Sequence, residues 1–339
     1  MTQPQFRGRG SVARMTVIER RPLGPSGLVV STVGIGCNNF GRPGTATESQ
    51  EGTDAVVHAA LDAGVTLFDT ADVYGGTPGQ SESMLGKALA GRRDQVVLAT
   101  KFGMDMRGAN GPDWGVRGSR RYVRLAVESS LRRLGTDWID LYQLHGPDAV
   151  TPIEETLSVL DDLVREGKVR YVGHSNFAGW QIAEAELTAS IAGTTAFVSA
   201  QDEYSPLARG VETEVLPAVR AYALGFLPYF PLYNGLLSGK YTRSGGPADG
   251  RLSLRKPEVL EHAPWDVLEE FQGFCDERGV TMLQATFAWL LAQPGLTSVI
   301  AGATKAEQVT QNADAGTAWT PTEDDLAEMT VVFDGAQSR

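Results

Sequence analysis

Along most of this chain, short runs of apolar, β-prone residues alternate with longer stretches in which apolar positions recur every three or four residues. The first pattern is that of buried strands and the second that of amphipathic helices. Strands are predicted near Val30–Cys37, Thr66–Ala71, Val96–Lys101, Ile139–His145, Val169–Asn176, Phe197–Gln201, Phe226–Leu232 and Ser298–Ala303. Helical patterns fall near Ser49–Asp62, Ser81–Ala90, Arg120–Leu134, Ile153–Glu166, Trp180–Ala189, Glu212–Leu224, Thr281–Ala292, Ala306–Ala313 and Glu323–Val332. Gly64, Gly91, Gly135, Gly167 and Gly225 read as helix stop signals. Eight strand–helix units argue for an α/β protein built as a (β/α)8 TIM barrel. A doubly wound dinucleotide fold wants G-x-G-x-x-G opening its first helix, and Gly34, Gly36 and Gly41 do not fit that spacing.

Glu19–Ser31 reads as a hairpin with Pro-Ser-Gly at its turn. The longest irregular stretch is Tyr241–Ala263, and the second is Gly103–Gly118 with Trp114 inside it. Long loops within a compact domain are usually lids or binding loops. The 339 residues exceed the ~250 that such a barrel needs, and no linker interrupts residues 20–320. One barrel domain is therefore expected over residues 16–335. Residues 1–15 read as a disordered leader; the stretch is basic and Gly-rich without an apolar h-region, so it is not a signal peptide, and Met15 could itself be the start.

The candidate chemistry sits where strands end. Functional residues of parallel-barrel enzymes gather at the carboxyl ends of the strands. In TLFDTADVYG a strand runs into Asp69, with Tyr74 five positions on. Taken alone, this also fits a capped turn on which Tyr74 merely packs. The pattern repeats, however: VVLATKF ends near Lys101 and IDLYQLHGPD places His145 at another strand end. An ammonium beside a phenol favours the phenolate and lowers its pKa from near 10. These four residue types suit a carbonyl reduction, in which a hydride is delivered to carbon and a proton to the developing alkoxide. Tyr74 would be general acid/base, Lys101 its tuner, Asp69 the support of Lys101, and His145 the hydrogen-bond donor that orients the carbonyl.

The segments FDTADVYG, VLATKFG, IDLYQLHGPD, VGHSNF, SAQDEYSPL, LPYFPLYNGLLSGKY and VIAGATKAEQVTQN resemble the signature blocks of the aldo-keto reductases in residue type, order and spacing. The resemblance runs from about Glu19 to the end of the barrel, and PYFPL and GLLSGKY resemble bacterial members of the sugar and inositol type. It implies the same four roles for Asp69, Tyr74, Lys101 and His145, a hairpin closing the barrel floor, and NADP(H) as cofactor. It implies that Ser175, Asn176 and Gln201 bind the nicotinamide carboxamide, where helix capping is the plainer reading of Ser and Asn. It implies an aromatic, Tyr229, stacked on the ring. Many relatives carry Ser next, where this chain has Phe230, so backbone groups of Pro231, Leu232 and Leu236 would meet the pyrophosphate, with the cations Lys240 and Arg251. Gly36 and Cys37, at the first strand end, join the cofactor set. Gly302, Thr304 and Lys305 open a helix whose start suits a phosphate, and Gln308 and Asn312 lie on one helix face toward the adenosine end. Thr304 also fits a simple helix cap. Asn38, Phe40, Phe102, Trp114 and Tyr233 follow strand ends and could line the substrate mouth or simply pack their loops.

Composition narrows the remaining choices. A net charge of −11 disfavours sequence-blind binding to nucleic acid. Two cysteines make no disulfide framework, and four scattered histidines make no metal site. No apolar run approaches the ~18 residues of a membrane span, so a cytoplasmic location is expected, and the resemblance implies a small carbonyl or alcohol substrate. The alternatives left open are a nicotinamide-binding regulatory module of the same fold with little turnover, and a barrel isomerase without nicotinamide.

Overall fold

A computed structural model describes residues 18–248 and 250–337. The expected leader at 1–15 lies outside the described residues, as do residues 16 and 17. The chain opens with a hairpin, β1 (Arg20–Pro22) against β2 (Val29–Ser31), antiparallel with Arg21 opposite Val30. Eight parallel strands follow: β3 (Val33–Gly36), β4 (Leu67–Asp69), β5 (Val97–Phe102), β6 (Ile139–Leu144), β7 (Val169–Ser175), β8 (Ser199–Gln201), β9 (Gly225–Phe226) and β10 (Val299–Gly302). Their order is β10-β3-β4-β5-β6-β7-β8-β9. The two outer strands meet through Phe226 N–H to Gly295 O (2.9 Å), Thr297 N–H to Phe226 O (2.9 Å) and Ile300 N–H to Pro228 O (3.0 Å), which closes the (β/α)8 barrel.

The helices wrap this barrel: α1 (Gln50–Asp62), α2 (Gln80–Ala88), α3 (Arg120–Leu134), α4 (Ile153–Arg165), α5 (Gly179–Ala192), α6 (Val215–Ala221), α7 (Arg251–Arg255), α8 (Pro257–Glu261), α9 (Trp265–Arg278), α10 (Met282–Leu291), α11 (Ala306–Ala315) and α12 (Glu323–Gln337). Helix α4 illustrates why: Leu157, Leu160 and Leu163 recur at helical spacing and are buried, while Glu154, Glu155 and Arg165 face outward or cap its dipole. Helix α10 is buried nearly all round and starts at a capping box, in which Thr281 and Gln284 satisfy each other's backbone N–H. Among the described residues no helix is long and apolar enough to cross a membrane.

A small apolar cluster fills the lower barrel. Leu67, Ala99, Leu141 and Ile300 project into it from four strands, Leu227 joins them just after β9, and Leu23 and Leu28 of the hairpin seal it from below. The hairpin turn presses so closely on the strand starts that a Cβ on Gly24 would stand 2.4 Å from Val198 O. Above this plug the inward positions turn polar toward the strands' carboxyl ends, at Asp69, Lys101, Gln143 and Gln201.

Four expectations need correction. The predicted strand at Phe226–Leu232 is two residues long, Gly225–Phe226: Pro228 has no N–H to give the ladder, and pairing resumes only as an isolated bridge between Tyr229 and Glu203. Gly225 opens that strand instead of stopping a helix, and the left-handed residue ahead of it is Ala223 at φ 58°. The Tyr241–Ala263 stretch is not irregular throughout; it holds α7 and α8. Helix α9 went unread because its apolar positions are interrupted by charged pairs, yet it buries Phe271, Phe274 and Cys275.

Candidate functional site

The upper barrel interior holds a ladder of polar side chains at alternate strand positions. Parallel pairing sets Lys101 of β5 beside Gln143 of β6, with Asp69 at the end of β4 and Gln201 at the end of β8. Lys101 Nζ donates to Asp69 Oδ2 at 2.5 Å and to Thr70 O at 3.0 Å. Asp69 Oδ1 accepts from Gln143 Nε2 (3.1 Å) and from Gln201 Nε2 (3.0 Å), and Gln201 also donates to Gln143 Oε1 (3.2 Å). Lys101 is wholly buried and Asp69 nearly so. Each charge is therefore paired and hydrogen-bonded, as a buried charge must be. Burial opposes the Lys101 ammonium, but Asp69 and then Tyr74 outweigh it and hold its pKa above the ordinary value.

Tyr74 reaches this pair from the loop after β4. Its N–H bonds Ala71 O at 3.2 Å, and its carbonyl accepts from Ser81 at 3.1 Å. The chain turns sharply behind it: Gly75 has φ 119°, and a Cβ there would meet Gln80 Cβ at 2.7 Å, so the turn needs glycine. The Tyr74 ring lies 5.1 Å from Lys101 Nζ and 5.6 Å, edge-on, from the His145 ring. Lys101 acts on the phenol in the expected direction, lowering its pKa, but it is not the largest influence. Burial outweighs the Lys101 ammonium and holds Tyr74 above its ordinary value, so the phenol stays protonated.

His145 follows β6, with its backbone N–H on Phe102 O (2.8 Å) and its carbonyl accepting Asn176 Nδ2 (2.9 Å). Burial, aided by the Lys101 charge, drives its pKa down to about 3, so the ring is neutral near pH 7. Its Nδ1 is buried without a partner among the described residues. An orphaned acceptor is tolerated better than an orphaned N–H, which favours the proton on Nε2.

These residues floor one cleft of about 520 Å³ at the barrel mouth. It is lined by Asp69, Tyr74, His145, Ser175, Asn176 and Gln201, by Tyr229 to Leu232, and by Gly302, Thr304, Lys305 and Gln308; Gly36, Asn38, Lys240 and Arg251 also reach it. Asn176, at φ 60°, is a hub: its Oδ1 accepts from Tyr229 OH (2.9 Å), while Nδ2 serves His145 O and Ser175 Oγ. Ser175 Oγ donates to Gln201 O at 2.7 Å. At the start of α11 the Thr304 N–H and Oγ1 both meet Gln308 Oε1, at 2.8 and 3.3 Å, and the N-cap is Lys305, not Thr304.

Other expected site residues are not brought to the cleft. Phe40, Phe102 and Cys37 are fully buried in the hydrophobic core, and Leu236 is buried with them. Asn312 is buried one turn beyond Gln308, and Tyr233 packs against the core. Trp114 is 70% exposed and lies over the Arg121 guanidinium at 4.0 Å. Aromatic residues after a strand end fill the seam between strand and helix as readily as they line a mouth. Sequence reasoning missed Gln143, although strand alternation from Leu141 through Gln143 to His145 marks its face. It also missed Arg42 and Arg255, both of which line the cleft.

The donor set fits a nicotinamide dinucleotide: an aromatic wall at Tyr229, amides at Asn176 and Gln201, and cations at the end toward Lys240, Arg251 and Lys305. Residues 32–332 match the family model for the aldo/keto reductase family. The chain is 39% identical to an uncharacterized oxidoreductase, YrpG, of Bacillus subtilis (strain 168), over 85% of this chain and 87% of that protein. It is 35% identical to a probable voltage-gated potassium channel subunit beta of Oryza sativa subsp. japonica, over 88% and 91%. It is also 35% identical to a probable aldo-keto reductase 1 of Glycine max, over 89% and 86%.

Proposed function

The chain belongs to the aldo/keto reductase family, and we propose that it is a cytoplasmic, single-domain NADPH-dependent reductase that converts small aldehyde, ketone or sugar-like carbonyls to alcohols with Tyr74 as general acid. The observation that carries this reading is the buried Asp69–Lys101 pair beside Tyr74, with His145 on the same cleft. A reduced nicotinamide, held by Asn176, Gln201 and Tyr229, would supply hydride chemistry at the carbonyl carbon. Tyr74, kept protonated by burial, gives its proton to the carbonyl oxygen as the C=O electron pair moves there. The resulting phenolate is stabilised by the Lys101 ammonium and regains a proton from solvent, so one carbonyl consumes one hydride and one proton. Neutral His145 donates from Nε2 to the carbonyl oxygen and orients it. Asp69 holds Lys101 in place, and Gln143 and Gln201 hold Asp69.

A panel of activated aldehydes with NADPH tests this reading, consumption being followed by loss of the reduced cofactor. Turnover that vanishes in Tyr74→Phe is the expected result. The name of the Oryza sativa relative, a probable voltage-gated potassium channel subunit beta, favours a second reading, in which this chain is a nicotinamide-binding regulatory module with little turnover. Tight NADPH binding without consumption of any aldehyde would favour it.

A further inference from the structure

In a chain of net charge −11, the cleft is lined by five cations, Arg42, Lys240, Arg251, Arg255 and Lys305, against a single carboxylate, Asp69, which Lys101 already occupies. The cations divide by position. Lys305 stands at the start of α11, and Lys240 and Arg251 lie on the segment after β9, where the dinucleotide phosphates are proposed to lie. Arg42 comes from the loop after β3, near enough to Arg251 and Arg255 for their charges to act on one another, and that loop is pinned to the Tyr74 loop: Gly76 N–H bonds Gly41 O at 3.0 Å. The backbone around Arg42 is fixed on every side. Its own N–H bonds Asn39 O (3.1 Å), its carbonyl accepts Thr45 Oγ1 (2.8 Å), and Gly41 N–H bonds Thr47 O (2.8 Å). The guanidinium itself is half-buried and has no hydrogen bond or ion pair among the described residues. Burial and the Arg255 charge push its pKa down, while Tyr74 pulls it back up, as expected for a cation between the acid and a second arginine. Arg255 is tied across the cleft mouth to Pro43 O.

We propose that Arg42 is a specificity-determining residue for substrates that carry an anionic group, a carboxylate or a phosphate ester, on the carbonyl compound presented to Tyr74. The inference rests on the reductase reading for its carbonyl and stands on its own for the anion. A pinned, half-buried guanidinium without a protein partner suits a charge-assisted bond to such a group, and the cationic cleft draws anions in.

The test pairs 4-carboxybenzaldehyde with 4-methylbenzaldehyde, and glyceraldehyde 3-phosphate with glyceraldehyde. Wild type should favour one anionic member at least tenfold in kcat/KM, and the preferred pair identifies carboxylate or phosphate. Arg42→Leu should collapse that ratio toward one through KM, Arg42→Lys should restore part of it, and NADPH affinity should move less than threefold. Benzoate and inorganic phosphate, titrated into the NADPH-loaded protein without turnover, give a readout independent of catalysis. Binding of either to wild type but not to Arg42→Leu supports the anion site even if no aldehyde is reduced, an outcome that would sink the reductase reading alone. The proposal is overturned if wild type shows neither preference nor anion binding, if both members of a pair suffer equally, or if Arg42→Leu loses NADPH affinity instead.

Discussion

Lys101 donates its ammonium to Asp69 at 2.5 Å in the barrel interior, and both side chains are almost without solvent contact. Such a pair is weak support for stability, since desolvating two charges offsets most of their attraction. Its position explains it better. The ammonium lies 5.1 Å from the Tyr74 ring, and two glutamine amides occupy the other carboxylate oxygen. Asp69 thus accepts three hydrogen bonds through its two carboxylate oxygens, and Lys101 is held beside the phenol.

Tyr74→Phe is expected to abolish most turnover while leaving NADPH binding nearly intact. The change removes the transferable proton and little else. General acid contributions are typically ~10²–10⁴-fold. A single-turnover rate above a third of wild type, at saturating aldehyde, would take Tyr74 out of the mechanism.

Lys101→Met should also cripple reduction, by a different route. Burial already raises the Tyr74 pKa, and Lys101 is the main group opposing it. Without the ammonium the phenolate left after proton transfer has no counter-charge, and Asp69 is stranded in a buried site. The rate should fall and the alkaline limb of the pH profile should move upward. An unchanged profile would reduce Lys101 to a structural cation.

The barrel was legible because its signals are local: apolar runs ended by Asp69, Lys101 and His145 recur at strand ends, and the inward face above Leu67, Ala99 and Leu141 turns polar in register. Gln143 was missed because a glutamine inside an apolar run carries no charge to draw notice. Phe40 and Phe102 were misplaced because a strand end has two sides, and only three-dimensional packing says which faces the core. Arg42 escaped because its role depends on a contact between two loops, Gly41 with Gly76, that are far apart along the chain.

His174 offers a test on stability. It is wholly buried on β7, stacked on Phe177 at 4.5 Å and edge-on to Phe197 at 5.2 Å, and neither ring nitrogen has a partner among the described residues. Burial drives its pKa down to about 3, from 6.5 in an exposed histidine. Between those values the unfolded chain binds a proton that the native protein does not, so wild-type stability falls as pH drops below 6.5. His174→Leu lacks this term. Its stability relative to wild type should therefore rise by up to ~1.4 kcal/mol per pH unit below 6.5, measured by urea unfolding at pH 7.5 and 5.0. A gap that does not widen would mean the native ring takes up a proton after all.

NADPH should be preferred over NADH, with Lys305 carrying part of the preference. The 2′-phosphate needs a cation or several N–H donors, and Lys305 lines the cleft at the N-cap of α11, where the helix dipole adds to its charge. A charge-assisted phosphate contact contributes ~1.5–3 kcal/mol. Lys305→Ala should then weaken NADPH binding by roughly tenfold or more, at ~1.4 kcal/mol per decade, and NADH binding far less. Paired titrations of wild type and variant with both cofactors decide it. Equal losses would point to damage at the helix start, where Thr304 and Gln308 already share hydrogen bonds, and would remove Lys305 from the 2′-phosphate.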